Sequence, residues 1–188
     1  VAHAGMAGPE GVMPAPESAA GKDPVKAVGA MARICIGAEK QFEANTNFEQ
    51  AQRDLEQADQ AIAMATMFLS EHIGVRAIVA MTESGGTARY LSRFRSNVPI
   101  FGLSRHVGAR RRMALMRDVF PIDFDSRGLA TREAARAALK QLFDQGLLAV
   151  GDRIVITSGD HMGHHGATKT LRLLQVGMDG RAEGLGEL

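Results

Sequence analysis

The sequence predicts an α/β fold, a mostly parallel five-stranded sheet covered by helices. Three observations predict it. From residue 75 onward, short runs of Val, Ile, Leu and Phe alternate with helical patterns, and repeated βα units build a parallel sheet with helices packed on it. The composition of those runs is that of strands buried on both faces. The chain has 188 residues, 45% of them hydrophobic, enough for one sizeable core and too few for two large domains.

The elements follow in order. Residues 1 to about 24 are rich in Gly, Ala and Pro, and Pro9, Pro14, Pro16 and Pro24 argue for an irregular leader. The chain begins with Val1 rather than Met, as a piece of something longer or a trimmed protein does. A first helix is predicted from Pro24 to Lys40, with Pro24 suited to its start. A second is predicted over about residues 48 to 72. There Leu55, Ala58, Ile62, Ala65, Leu69 and His72 recur at spacings of three and four and share one face. Strands are predicted at 75–82, 99–104, 120–124, 153–158 and 170–176, and helices at 87–95, 108–117 and 131–145. The last helix carries Ala135, Ala138, Leu139, Leu142 and Phe143 on one face, with Gly146 just past its end. About ten residues separate the last two strands, too few for a parallel crossover, so that pair is predicted antiparallel. The domain is expected to occupy residues 25–177, and the Gly-rich residues 178–188 to form a flexible tail.

Bulk properties exclude several classes. A net charge of +1 argues against a dedicated nucleic-acid binder. The single cysteine, Cys35, cannot form an internal disulfide, so a reducing cytoplasm is expected. No apolar run approaches the roughly 20 residues that span a bilayer. The first 20 residues lack the basic start and apolar stretch of a signal peptide.

In open α/β sheets ligands bind beyond the carboxyl ends of the strands. Three polar, glycine-bearing or basic segments fall there. The first is Thr82-Glu83-Ser84-Gly85-Gly86-Thr87, the second Ser104-Arg105-His106, and the third runs from Ser158 to Thr168. A strand passing through a loop of hydroxyls and glycines into a helix suits a phosphate, because backbone N–H groups and side-chain hydroxyls converge. The same residues also suit a plain helix start, with Ser84 or Thr87 capping and Gly85-Gly86 turning the chain.

Other groups were weighed for chemistry. His161, His164 and His165 crowd one loop, but no Cys accompanies them and only Asp160 offers a carboxylate, so a polar loop is favoured over a metal site. Arg105, Arg110, Arg111, Arg112 and Arg117 lack aromatic partners, which favours a solvated helix face or a subunit contact over nucleic acid. Cys35 has no nearby His or Asp to activate it and reads as core or interface. Asp123 and Asp125 alternate about Phe124, which puts both on one face, and no acid–base role is assigned to them.

Taken together these residues resemble the C-terminal domain of pyruvate kinase. The likeness is carried by Glu17 to Lys22, Pro24-Val25 and Ala27-Val28, Met31 to Cys35, Gly37 to Lys40, Ala61 to Met64, Met81-Thr82-Glu83-Ser84-Gly85, Pro99-Ile100-Phe101, Ser104-Arg105-His106, Phe124-Asp125-Ser126, Gly151-Asp152 and the last strand. It covers about residues 1 to 177. The Met-Thr-Glu-Ser-Gly wording looks most like the bacterial class activated by sugar monophosphates or AMP. The resemblance implies a doubly wound domain with helices on both faces, an allosteric effector site and part of an oligomer interface. It implies that Thr82, Ser84, Gly85, Gly86 and Thr87 clamp the effector phosphate. It makes Arg105, His106, Gly163, His164, His165, Gly166 and Thr168 candidates for the remaining effector contacts. Glu83 stands where some members carry a hydroxyl. A carboxylate there repels phosphate, so Glu83 is expected to turn outward or to meet a sugar hydroxyl. The expected partners are a phosphorylated small molecule and further copies of the chain, with neither nucleic acid nor membrane.

The resemblance also bears on catalysis. In the family the leader region is the end of a catalytic barrel that typically reads Met-Leu-Ser-Ala-Glu. Here it reads Met13-Pro14-Ala15-Pro16-Glu17. Glu17 matches the acidic position, Ala15 replaces the serine, and two prolines interrupt a strand. The rest of the barrel, with its metal-ligand carboxylates, is absent from these residues. Phosphoryl transfer from phosphoenolpyruvate to ADP with Mg²⁺ and K⁺ depends on such positioned charges. No catalytic residue, cofactor or metal is therefore expected in this chain, and it is expected to be inactive alone. The competing expectation is a structural or oligomerisation module that binds no ligand. A stand-alone enzyme acting on phosphorylated metabolites is least favoured, because no nucleophile–base pair converges at the loop edge.

Overall fold

A computed structural model describes residues 21–40, 57–94, 96–159 and 168–184. The chain divides into two compact units, residues 1–44 and 45–188. Within the first, helix α1 spans Pro24–Lys40, the span predicted. Its first turn is anchored where Ala27 N–H donates to Asp23 O at 3.1 Å. Cys35 is partly buried in it. The predicted leader, including Ala15 and Glu17, lies outside the described residues.

The second unit opens with α2 (Ala58–Ile73), which Gly74 ends in a left-handed conformation with its N–H donating to Ser70 O. The segment predicted to precede it, 48–56, lies outside the described residues. The buried stripe of α2 differs from the predicted one. Asp59, Ala63, Thr66, Met67 and Ser70 are buried, whereas Ala65 and His72 are exposed. The stripe is rotated by about one residue. Periodicity counted Thr66 and Ser70 as polar, yet each hydroxyl donates to a carbonyl one turn back, Thr66 to Ile62 O and Ser70 to Thr66 O, both at 2.7 Å. A hydroxyl satisfied within its own helix can face the core.

Strands and helices then alternate as predicted. They are β1 (Ala77–Met81), α3 (Gly86–Ser92), β2 (Ile100–Ser104), α4 (Val107–Met113), β3 (Val119–Asp123), α5 (Thr131–Asp144), β4 (Arg153–Gly159) and β5 (Thr168–Val176). The sheet order is β3-β2-β1-β4-β5-β6. β1 pairs in parallel with β2 and β4, and β2 with β3. β5 runs antiparallel to β4, with an irregularity between Ser158 and Gly159. Each of α3 and α4 stops earlier than predicted, since after Met113 the chain turns through Asp118 at φ 56 to enter β3.

The sheet has six strands, not five. The short β6 (Ala182–Glu183) pairs antiparallel with β5. Residues 178–184, predicted to belong to a flexible tail, instead form a 3₁₀ turn (Met178–Gly180) and this strand. Gly180 explains the error. It is buried at φ +73, and a Cβ there would meet Phe143 at 2.8 Å. Glycine here permits close packing against α5, a use that composition alone cannot distinguish from looseness.

Two apolar layers flank the sheet. On one face Val79, Met81, Leu103, Ile154 and Ile156 pack with Ala134, Ala135, Ala138, Leu139 and Leu142 of α5. On the other, Ile78, Ala80, Ile100 and Val155 pack with Ala63 and Met67 of α2, Ala88 and Leu91 of α3, and Met113 of α4. Helices on both faces make the fold doubly wound. α5 begins where the Glu133 carboxylate accepts from Ala130 N–H at 2.9 Å, and Gly146 follows it at φ +70.

α4 sits unusually close to β2. A Cβ on Gly102 would lie 2.6 Å from the Met113 sulfur, and Met113 is fully buried. Gly102→Ala is therefore expected to destabilise the domain by about 1–3 kcal/mol through overpacking. Denaturant unfolding checks this, and an unchanged midpoint would show that Met113 moves aside freely.

Candidate functional site at the carboxyl edge of the sheet

β1 ends at Met81, and the N–H of the next residue, Thr82, still donates to Leu103 O at 3.0 Å. The chain then leaves the sheet. Gly85 adopts φ +86, and its N–H donates to Thr82 Oγ1 at 3.0 Å. Gly86 N–H donates to Ser84 Oγ at 3.3 Å. Arg89 N–H donates to Gly85 O at 2.9 Å, which starts α3 one residue earlier than predicted. Gly85 is needed for two reasons. Its φ is left-handed, and a Cβ there would meet Met113 Cγ at 3.0 Å. The loop thus folds on its own hydroxyls, and the Thr82 and Ser84 oxygens accept while their O–H protons stay available to donate.

Thr87 is buried, and its hydroxyl lies 2.6 Å from that of Thr168, which is also buried. This contact joins the first turn of α3 to the first residue of β5. Of the third predicted segment, Ser158, Gly159 and Thr168 are described. Asp160, His161, Gly163, His164, His165 and Gly166 lie outside the described residues.

The second segment, Ser104-Arg105-His106, lies against the first. Ser104 Oγ donates to Glu83 O at 3.3 Å and accepts from His106 N–H at 3.2 Å. Arg105 Nε donates to Glu83 Oε2 at 3.3 Å, and its Nη2 lies 3.3 Å from the same oxygen as an ion pair. His106 Nε2 meets the same oxygen at 2.5 Å. Glu83 does not turn outward, one of the two courses the sequence suggested. Its side chain is only 14% exposed, and a carboxylate so far removed from water needs charged donors.

The arginine run is also more committed than a solvated face would be. Arg110 Nη1 donates to Ser104 O at 2.8 Å and to Asp123 Oδ1 at 2.6 Å, tying the end of β2 to the end of β3. Arg112 Nη2 donates to Ser84 O at 3.1 Å. Arg117 pairs with Asp118 at 3.2 Å. The roles of Arg110 and Arg112 were not legible in sequence, since their partners lie 6 to 28 positions away. Asp123 and Asp125 are both exposed on either side of buried Phe124, as the alternation predicted, but they take different partners. Asp125 pairs instead with Arg127 at 2.6 Å.

Among the described residues no group of three or more His, Cys, Asp or Glu could hold a metal ion. No described helix is long and apolar enough to cross a membrane.

Comparison with known proteins gives the site a context. The family profile described as pyruvate kinase, alpha/beta domain, matches residues 60–174. Pyruvate kinase II of Salmonella typhimurium is 42% identical over 177 residues, which are 94% of this chain and 37% of that protein. A pyruvate kinase of Buchnera aphidicola subsp. Schizaphis graminum is 41% identical over the same shares. A pyruvate kinase of Thermotoga maritima is 31% identical over 176 residues, again 94% and 37%. The chain thus spans little more than a third of the length of these relatives.

Hydrogen bonds from the Arg127 side chain, and then its backbone N–H, hold the Asp125 carboxyl down at about 2. A depressed folded-state value means that this pairing stabilises fully above the ordinary carboxylate range and is lost as pH falls through about 2. Titration of Asp125 by NMR is expected to place its midpoint there, and Arg127→Ala to raise it part of the way to the ordinary value near 4, since the backbone N–H at position 127 remains. A wild-type midpoint already near 4 would show that the pair does not persist in solution.

Proposed function

Because the chain belongs to the pyruvate kinase alpha/beta domain family, we propose that it is the regulatory module of such an enzyme and binds a phosphorylated metabolite at the Thr82–Thr87 loop. One observation carries the reading. At the carboxyl edge of the sheet, the Thr82 and Ser84 hydroxyls and the backbone of Gly85 and Gly86 are gathered into one turn beside Arg105 and Arg112. Phosphate is the anion such a turn suits, since it takes many short donors at once. The effector is a sugar monophosphate or AMP, and the module works in the cytoplasm.

Self-association belongs to the same proposal, as does the parent reaction, phosphoryl transfer from phosphoenolpyruvate to ADP in glycolysis. These 188 residues do not perform that transfer, which needs positioned metal ions and charges. Mg²⁺ and K⁺ go with a complete pyruvate kinase. The second reading, a module that binds no ligand, has its own support: every bond inside the loop is one that an ordinary turn into a helix uses.

Thermal unfolding separates the two. Glucose 6-phosphate, ribose 5-phosphate, AMP and fructose 1,6-bisphosphate are each added to the purified chain. An effector at a hundredfold excess over its dissociation constant adds about 2.7 kcal/mol of stability. Ser84→Ala with Thr87→Ala is expected to remove that shift. No shift with any of the four would sink the binding reading, and a shift that survives the double substitution would move the site elsewhere. Formation of pyruvate from phosphoenolpyruvate and ADP by the purified chain would overturn its assignment as a purely regulatory module.

A further inference from the structure

We propose that Glu83 is a positioning residue, a clasp that holds the β1–α3 loop against the β2–α4 loop and so aims the backbone N–H groups of Ser84 and Gly85. The inference rests on the phosphate reading of that loop and assigns a part to the one residue in it that simple charge repulsion would condemn.

The geometry gives the direction. Two successive peptide units are tied by their carbonyls to the β2–α4 side. Glu83 O accepts from Ser104 Oγ, and Ser84 O accepts from Arg112 Nη2. Both peptide bonds are trans, so the N–H of each unit points opposite to its carbonyl. The N–H groups of Ser84 and Gly85 therefore face away from β2–α4, and that of Gly85 reaches Thr82 Oγ1. The Glu83 carboxylate adds the charged part of the tie, receiving Arg105 and His106 on one oxygen.

The same contacts answer the repulsion. A bare carboxylate next to a phosphate opposes binding. Here the charge of Glu83 is met by the Arg105 guanidinium at 3.3 Å and turned to the side from which the amide groups point away. The cost of ordering the loop is met before the ligand arrives, which is how preorganised donors gain affinity. A clasp and a mere negative charge make opposite predictions. Removing the charge alone tightens phosphate binding, whereas removing the clasp weakens it.

The test uses the whole 188-residue chain with Glu83→Ala and Glu83→Gln. Calorimetric titration with ribose 5-phosphate is expected to give binding about tenfold weaker in E83A, the loss of one half-buried charged tie. E83Q is expected to fall between E83A and wild type, because its amide oxygen still accepts from Arg105. Without ligand, hydrogen exchange of residues 82–87 is expected to quicken by about tenfold in E83A while β1 and α5 keep their protection. Tighter binding in E83A with wild-type binding intact would overturn the clasp and leave the phosphate reading standing. Unchanged exchange in E83A would overturn the clasp whatever the ligand does. A wild-type chain that ignores ribose 5-phosphate as well as the other three phosphates would overturn the phosphate reading, and the clasp with it.

Discussion

Burial of β1 on both faces is the constraint from which the rest of the structure follows. All five residues of Ala77–Met81 are at most 3% exposed. Each large apolar side chain removed from water contributes about 1.5–3 kcal/mol, so neither face can be left open. Val79 and Met81 require the α5 layer, and Ile78 and Ala80 require the α2–α3–α4 layer. A strand covered on both faces must also satisfy both of its edges, and β2 and β4 do so in parallel. Parallel neighbours end at the same edge. The loops after β1 and β2 therefore meet at the edge where β4 also ends, because the core demands a central strand, before any ligand is considered.

Met113 then sets how closely those loops can meet. Its side chain is fully buried and lies against two glycines, Gly102 in β2 and Gly85 in the first loop. Absence of a Cβ at both positions lets α4 settle onto the sheet edge. The surface of α4 is thereby brought within reach of the loop, and Arg110 and Arg112 extend to Ser104 O and Ser84 O. A packing contact on the inner side of the helix thus places polar contacts on its outer side. The loop's polar contacts and core packing share the same seven-residue element.

Much of this was legible in sequence for a physical reason. Strands buried on both faces declare themselves by continuous apolar runs, and β1 to β5 were found within two residues at either end. The antiparallel β5 followed from linker length alone. What stayed hidden depended on the third dimension. The buried face of α2 was misjudged because Thr66 and Ser70 satisfy their hydroxyls within the helix. β6 was missed because Gly180 packs on Phe143 instead of loosening the chain. At the site, hydroxyls, glycines and edge placement were readable. The partners of Glu83, Arg110 and Arg112 were not, since no local pattern encodes which of five arginines reaches which acceptor.

Those partners decide how much charge an anion would meet. The chain as a whole carries a net charge of +1, so attraction has to be local. Arg105 is answered by Glu83, and Arg110 by Asp123. Arg112 differs, because its described contact is with the Ser84 carbonyl, a dipole and not a charge. An arginine bonded to a carbonyl keeps its full charge, since guanidinium does not deprotonate. Of Arg105, Arg110 and Arg112, the first two have a carboxylate partner among the described residues, while Arg112 is fixed to the backbone of the turn that holds the hydroxyls. Under the proposed phosphate reading, that charge suits a single phosphate. A second phosphate would have to draw Arg105 or Arg110 away from a carboxylate already in place.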